Sequence, residues 1–170
     1  MTGVNPGLTS WRLLSAVLLL ACAHAAGSPR EQAPEFASLE REVARRVNAY
    51  RTAHCLPALS YDTAVARIAR AHSRDMAAQR VPMGHDGFNR RVDQLDQFLP
   101  LVATAENVAF NTYSANSTVR VAVHGWLASP HHLENIEGKY DLTGVGIARA
   151  GDGAFYFTQL FVRAGVSPRR

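Results

Sequence analysis

The stretch from Gly144 to Val162, GVGIARAGDGAFYFTQLFV, decides the fold. Val145 and Ile147 alternate with Gly144, Gly146 and Ala148, Gly151-Asp152-Gly153 supplies a tight turn, and Ala154 to Val162 is aromatic and β-branched. That pattern is a β-hairpin. The chain before it has a different period. From Phe36 the apolar positions Phe36, Leu39, Val43, Val47 and Tyr50 step by 3 or 4 residues while Glu40, Glu42, Arg45 and Arg46 take other faces. The spacing predicts an amphipathic helix opened by Pro34 and closed off by the Leu56-Pro57 step. Asp62 is placed to cap a second helix with Val65, Ile68, Ala69, His72 and Met76 on its inner face, ending near Gln79. Asn116 or Ser117 starts a third through Val119, Ala122, Val123, Trp126 and Leu127. Ser129 is the expected N-cap of a short fourth helix with Pro130 at its first position, carrying His132 and Asn135. Between the second and third helices, Val81 to Thr104 contains Pro82, Gly84, Gly87 and Pro100 and has no sustained period. It reads as an irregular segment with a short helix around Arg91 to Gln97. Helices first and strands last predict an α+β domain with helices packed on a small antiparallel sheet.

Composition narrows the class. The 170 residues are 47% hydrophobic and 19% charged, a globular balance that excludes whole-chain disorder and leaves room for one domain. The net charge is +4, from 18 basic residues of which Lys139 is the only lysine, and they are scattered rather than clustered. A nucleic-acid partner is not expected from such a distribution.

The amino terminus has the layout of an export signal. Leu13 to Ala21 is an apolar run preceded by Arg12 and followed by small residues, too short to span a bilayer. Residues 1–25 are read as a signal peptide, 26–34 as a spacer, 35–165 as the domain and 166–170 as a tail. Two processing routes fit. Leu19-Leu20-Ala21-Cys22 resembles a bacterial lipobox, which would leave Cys22 acylated and the protein tethered to the envelope. Ala23-His24-Ala25 offers an ordinary small-x-small site, which would release it, secreted or periplasmic. On either route Cys55 is left alone and no internal disulfide is expected. The membrane enters only through that lipid anchor.

No HExxH, Walker loop, GxSxG, paired CxxC or dinucleotide-binding turn is present. What remains is polar residues at element edges: His85 in Met83-Gly84-His85-Asp86-Gly87, Glu106 in Ala105-Glu106-Asn107-Val108-Ala109, and His132 and Asn135 after Ser129-Pro130. With Val47-Asn48-Ala49-Tyr50-Arg51, Ala71 to Met76, Trp126 and Val145-Gly146-Ile147 leading to Tyr156-Phe157-Thr158-Gln159, these stretches resemble, in order, the CAP superfamily. This is the SCP domain of cysteine-rich secretory, antigen 5 and pathogenesis-related 1 proteins, here in its compact bacterial branch. The resemblance runs from about Leu39 to Val162 and implies an α-β-α sandwich. Eukaryotic relatives line a central cleft with two histidines and two glutamates that can hold a divalent metal such as zinc. The first histidine falls on His85 and the first glutamate on Glu106, but the second glutamate falls on Ser129 and the last histidine on Tyr156. His132, matching the histidine of the bacterial SPxH motif, offers a third ligand, so His85, Glu106 and His132 form the candidate metal set. Holding loops together by hydrogen bonds is the competing role for His85 and Glu106. His72, on an apolar helix face, is expected in the core.

Three functions follow from the resemblance. One is a binding module whose cleft, with His85, Glu106, Ser129, His132, Asn135 and Tyr156 as candidates, takes a lipid, peptide or cell-wall fragment. The second is a hydrolase in which Glu106 and His85 activate water, and the third is a structural envelope protein. No nucleophile with an evident base is present, so no catalytic activity is assigned.

Overall fold

The computed structural model describes Met1 and residues 33–165. The signal-peptide reading, Cys22, most of the 26–34 spacer and the 166–170 tail lie outside the described residues.

Five helices and four strands follow in the order α1 (Ala33–Ala53), β1 (Ser60–Tyr61), α2 (Thr63–Ala77), α3 (Phe88–Asp96), β2 (Leu101–Asn111), α4 (Ala115–Leu127), α5 (Pro130–Glu137), β3 (Leu142–Arg149) and β4 (Phe155–Ala164). Asp62 caps α2 as its sequence position implies, its carboxylate accepting from the Ala64 and Val65 amides at 2.8 and 2.9 Å. Ser129 does occupy the N-cap position of α5, but its hydroxyl makes no capping bond, so the expected side-chain cap is absent there. Pro130 at the first position does the starting instead.

The hairpin of β3 and β4 is the centre of the sheet, whose order is β1-β3-β4-β2. Two features depart from the sequence reading. β2 covers 101–111, where no strand was expected, and the short β1 runs parallel to β3, which makes the sheet mixed. Each miss has its own cause. β2 is 11 residues long but carries Glu106, Asn107 and Asn111 among its buried positions, so hydrophobic alternation is lost. β1 has only 2 residues, too few to show a period.

Helices cover both faces. On one, Leu160 and Val162 of β4 meet Val65, Ile68 and Ala69 of α2 and Leu95 of α3. On the other, Val145, Ile147, Phe155, Phe157 and Phe161 meet Val43 and Val47 of α1, Val119, Val123 and Trp126 of α4 and Ile136 of α5. Each of these large side chains contributes about 1.5–3 kcal/mol by leaving water. The glycines of β3 explain the close seat of α2: a Cβ at Gly146 would come 2.1 Å from the Arg70 amide nitrogen and 2.3 Å from the Ala69 carbonyl carbon, and one at Gly144 2.2 Å from the Ala66 nitrogen. Among the described residues no helix is long and apolar enough to cross a membrane.

Both long edges of the sheet are occupied by side chains. Along β3, the buried Glu40 of α1 accepts from the Ile147 amide at 3.2 Å and is itself forked by Arg70 of α2, while the Tyr61 hydroxyl donates to the Val145 carbonyl at 3.4 Å. Burial, with the Glu40 charge nearby, pushes the Tyr61 hydroxyl up to about 12, so it stays a donor. Along β2, Trp126 Nε1 donates to the Val108 carbonyl and Asn135 Nδ2 to the Glu106 carbonyl, both at 3.1 Å.

Candidate functional site

The site forms at the middle of β2, where consecutive side chains take opposite faces. Glu106, opposite Leu160 in the register, faces the α2–α3 layer, and Asn107 faces α5. His85 arrives on the loop between α2 and α3. That loop is held at its start by His72, whose Nε2–H donates to the Gly84 carbonyl at 2.8 Å, and at its end by Gly87, whose φ of 77° only glycine adopts freely. His72 is 4% exposed and burial holds it below the ordinary histidine range, so it is neutral core, as its position on the apolar stripe implies.

The turn at Gly87 leads straight into α3, and α3 supplies a residue that sequence reasoning missed. Arg91 places its guanidinium under Glu106: Nε donates to Oε2 and Nη2 to Oε1, each at 2.7 Å. Nη1 also donates to the Asp86 carbonyl at 2.9 Å, so Arg91 holds both the carboxylate and the loop. A signal for it existed. Phe88, Arg91 and Leu95 step by 3 and 4, and Leu95 is fully buried, which puts Arg91 on the inward stripe of α3.

His85 completes the group, with Nδ1 2.9 Å from Glu106 Oε1. A carboxylate flanked by an arginine only accepts, so Nδ1 carries the proton in this bond and Nε2 is the ring nitrogen left over. The Glu106 side chain is 2% exposed and that of His85 is 55% exposed. A buried ion pair thus fixes the direction of a solvent-facing imidazole.

On the other side of β2, Asn107 Nδ2 donates to the His132 carbonyl at 3.0 Å and Asn135 Nδ2 to Asn107 Oδ1 at 2.9 Å, pinning α5 to the strand. Asn135 is therefore committed to β2 by its amide, and His132 is placed by its backbone. The His132 ring is held below the ordinary histidine range by burial first and then by the nearby charges of His85 and His131, which puts it within electrostatic reach of His85. Its Nδ1 is buried without a partner. Tyr156 stands apart from this group. It stacks on Phe110 at 5.8 Å and lines a separate hollow with Met76 and Met83. Beside His85, between α2 and α3, lies a cavity of about 340 Å³ lined by His72, Asp75, Asp86, Arg90 and Arg91.

The profile of CAP, the cysteine-rich secretory protein family, matches residues 44–161. The chain belongs to the CAP family. Among solved structures, an extracellular protein containing a SCP domain from Bacillus anthracis is 27% identical at a TM-score of 0.65, covering 80% of this chain and 44% of that one. An outer surface protein of Borrelia burgdorferi shares the fold at 21% identity and a TM-score of 0.61, over 74% of this chain and 92% of that one. A cysteine-rich secretory protein of Staphylococcus aureus does so at 20% identity and a TM-score of 0.60, over 75% of this chain and 38% of that one. This CAP chain spans less than half the length of the first and third. Comparison with curated proteins returns no match.

The CAP resemblance implied a divalent metal on His85, Glu106 and His132, and the donor set does not fit one. Both Glu106 oxygens already accept from Arg91, one of them from His85 as well, and a guanidinium in contact repels a cation. Ser129 and Tyr156, in place of the other two CAP ligands, bring neither a carboxylate nor an imidazole. Among the described residues no group of three His, Cys, Asp or Glu is arranged to hold a metal.

Proposed function

We propose that this CAP protein is exported and that the His85 face binds a polar ligand, a peptide or cell-wall fragment, without turning it over. The observation that carries the reading is the Arg91–Glu106–His85 chain, with contacts of 2.7 Å and 2.9 Å. A buried ion pair is a costly way to stabilise a fold and an effective way to hold one exposed ring in a set direction. Glu106 is buried and both its oxygens already accept from Arg91, which disfavours it as a base toward water and with it the hydrolase. The charged lining of the adjacent cavity, Asp75, Asp86, Arg90 and Arg91, favours a ligand with hydrogen-bonding groups over a lipid tail. Export rests on the apolar run Leu13 to Ala21 and on the extracellular Bacillus relative. Acylation at Cys22 is the proposed form of attachment to the envelope.

The test is titration of the purified chain with soluble peptidoglycan fragments, read by histidine ring resonances and by product analysis. Saturable binding with intact ligand, lost in His85→Ala at unchanged melting temperature, supports the proposal. Ligand cleavage abolished by His85→Ala and by Glu106→Gln would replace it with the hydrolase. No binding, or binding indifferent to His85, refutes it. An unchanged mass and membrane fraction after Cys22→Ala would eliminate the lipid anchor.

A further inference from the structure

Arg51 presents a charge problem that the His85 face does not explain. It is 1% exposed in the last turn of α1. Its Nε donates to the Pro57 carbonyl at 2.8 Å, and Nη1 donates to the carbonyls of Ile136 and Gly138 at 2.6 and 3.0 Å. The last two close off the C-terminal end of α5, where the helix carries partial negative charge. Carbonyls satisfy hydrogen bonds but bring no full counter-charge. The other inward arginines have one: Arg91 forks Glu106 and Arg70 forks Glu40. Among the described residues Arg51 pairs with no carboxylate, and its Nη2 makes no hydrogen bond. Burial pulls its guanidinium below the ordinary arginine range.

Arg51 lines a hollow of about 260 Å³ between the ends of α1, α5 and β4. Lys139 and Arg163 stand at its rim, and Leu56, Pro57 and Tyr140 give it an apolar side. The two carboxylates that reach it are engaged elsewhere. Glu137 Oε1 accepts from the Tyr50 hydroxyl at 2.6 Å, and Asp141 Oδ1 accepts from the Ala164 amide at 3.0 Å. Three cations therefore face two carboxylates around a recess, a net positive lining.

We infer that this hollow binds an oxyanion, a carboxylate or phosphate on a small apolar body, with Arg51 at its floor and Lys139 and Arg163 at its rim. With Nε and Nη1 committed to carbonyls, Nη2 is the donor that Arg51 has left for an oxyanion, and a point charge from lysine adds attraction without geometry. The volume lies just under the usual range for a drug-sized ligand, so the occupant is a small acid or the head of a larger molecule. The site is independent of His85.

The experiment titrates the full chain by calorimetry with octanoate, inorganic phosphate and, as a neutral control, octanol, at low and high salt. The variants are Lys139→Gln/Arg163→Gln, Arg51→Lys and His85→Ala. Saturable binding of octanoate or phosphate is expected, weakening with salt. It falls at least about tenfold in the double variant, which is roughly 1.4 kcal/mol. Arg51→Lys, which keeps the charge and loses the Nη2 donor, also weakens it, and His85→Ala leaves it unchanged. Tighter octanoate marks a carboxylate on an apolar stem, and tighter phosphate marks a phosphorylated head. Failure of both anions to bind overturns the inference, as does octanol binding as well as octanoate, or full binding in the double variant.

Discussion

Replacing Arg91 with methionine isolates the interaction on which the His85 face depends. Of the three donors on the Glu106 carboxylate, two belong to Arg91, each at 2.7 Å, and one to His85 at 2.9 Å. Methionine keeps much of the arginine stem, so packing against Leu95 and the sheet changes little and the loss is electrostatic. A carboxylate that is 2% exposed is left with a single partner. Removing one member of a buried pair costs about 3–5 kcal/mol, against a total stability for a domain of this size of about 5–15 kcal/mol. Part of the cost is the Asp86 carbonyl, which loses its donor as well. Adding Glu106→Gln removes the stranded charge but not that carbonyl, so the double variant is expected to recover about half of the loss, about 1.5–2.5 kcal/mol, and the coupling is at least that large. Urea unfolding at neutral pH measures all three differences through the midpoint at constant slope. An Arg91→Met protein within about 0.5 kcal/mol of the parent, or a double variant no more stable than the sum of its parts, would refute the claim that the fork holds the site.

Three further outcomes are expected. Gly146→Ala brings a methyl 2.1 Å from the Arg70 nitrogen where ordinary contact begins at 3.4 Å, so α2 must retreat by about 1.3 Å, and thermal unfolding should show a loss of at least about 1–3 kcal/mol. An unchanged melting temperature would mean that α2 is not seated as described. Stability should fall as pH drops through about 6.5. The reason is His72, and in the same direction His132, both held below the ordinary range when folded, so that the unfolded chain binds their protons first and stability is fully present only above the unfolded value. The slope is at most about 1.4 kcal/mol per pH unit for one histidine, and His72→Gln, which keeps a donor for the Gly84 carbonyl, should flatten it in denaturation curves from pH 5 to 8. Trp126→Phe leaves the buried Val108 carbonyl without its donor and should cost about 1–3 kcal/mol by urea unfolding, with near-parental stability counting against that bond.

Sequence reasoning reached the hairpin and the helices because their burial is periodic. Val145 and Ile147 against two glycines, and the stripe Val65 to Met76, announce both the element and its inward face. It did not reach β2, where three of the five buried positions are Glu106, Asn107 and Asn111 and polarity hides the strand. The candidate site divides in the same way. His85 and Glu106 were marked by their stretches, and they touch. Arg91 was not marked, because an arginine in a short helix is ordinarily solvated, and only its spacing to Leu95 betrays that it points inward. Ser129 and Tyr156 were placed in the cleft by correspondence: Ser129 stands at the helix start that its own pattern predicts, and Tyr156 stacks on Phe110.

The side chains that occupy the sheet edges have a consequence for the behaviour of the protein in a crowd. A bare strand edge is a template on which a second molecule can grow, and that is the usual route from a small β-containing domain to an aggregate. Here the template is blocked at Val108 by an indole that is 1% exposed, at Ile147 by a carboxylate that is 0% exposed, and at Glu106 and Val145 by an amide and a phenol. A newcomer would first have to pull Trp126 out of the core or strip Glu40 from Arg70. The edges are guarded by the packing itself, so they stay guarded as long as the domain stays folded.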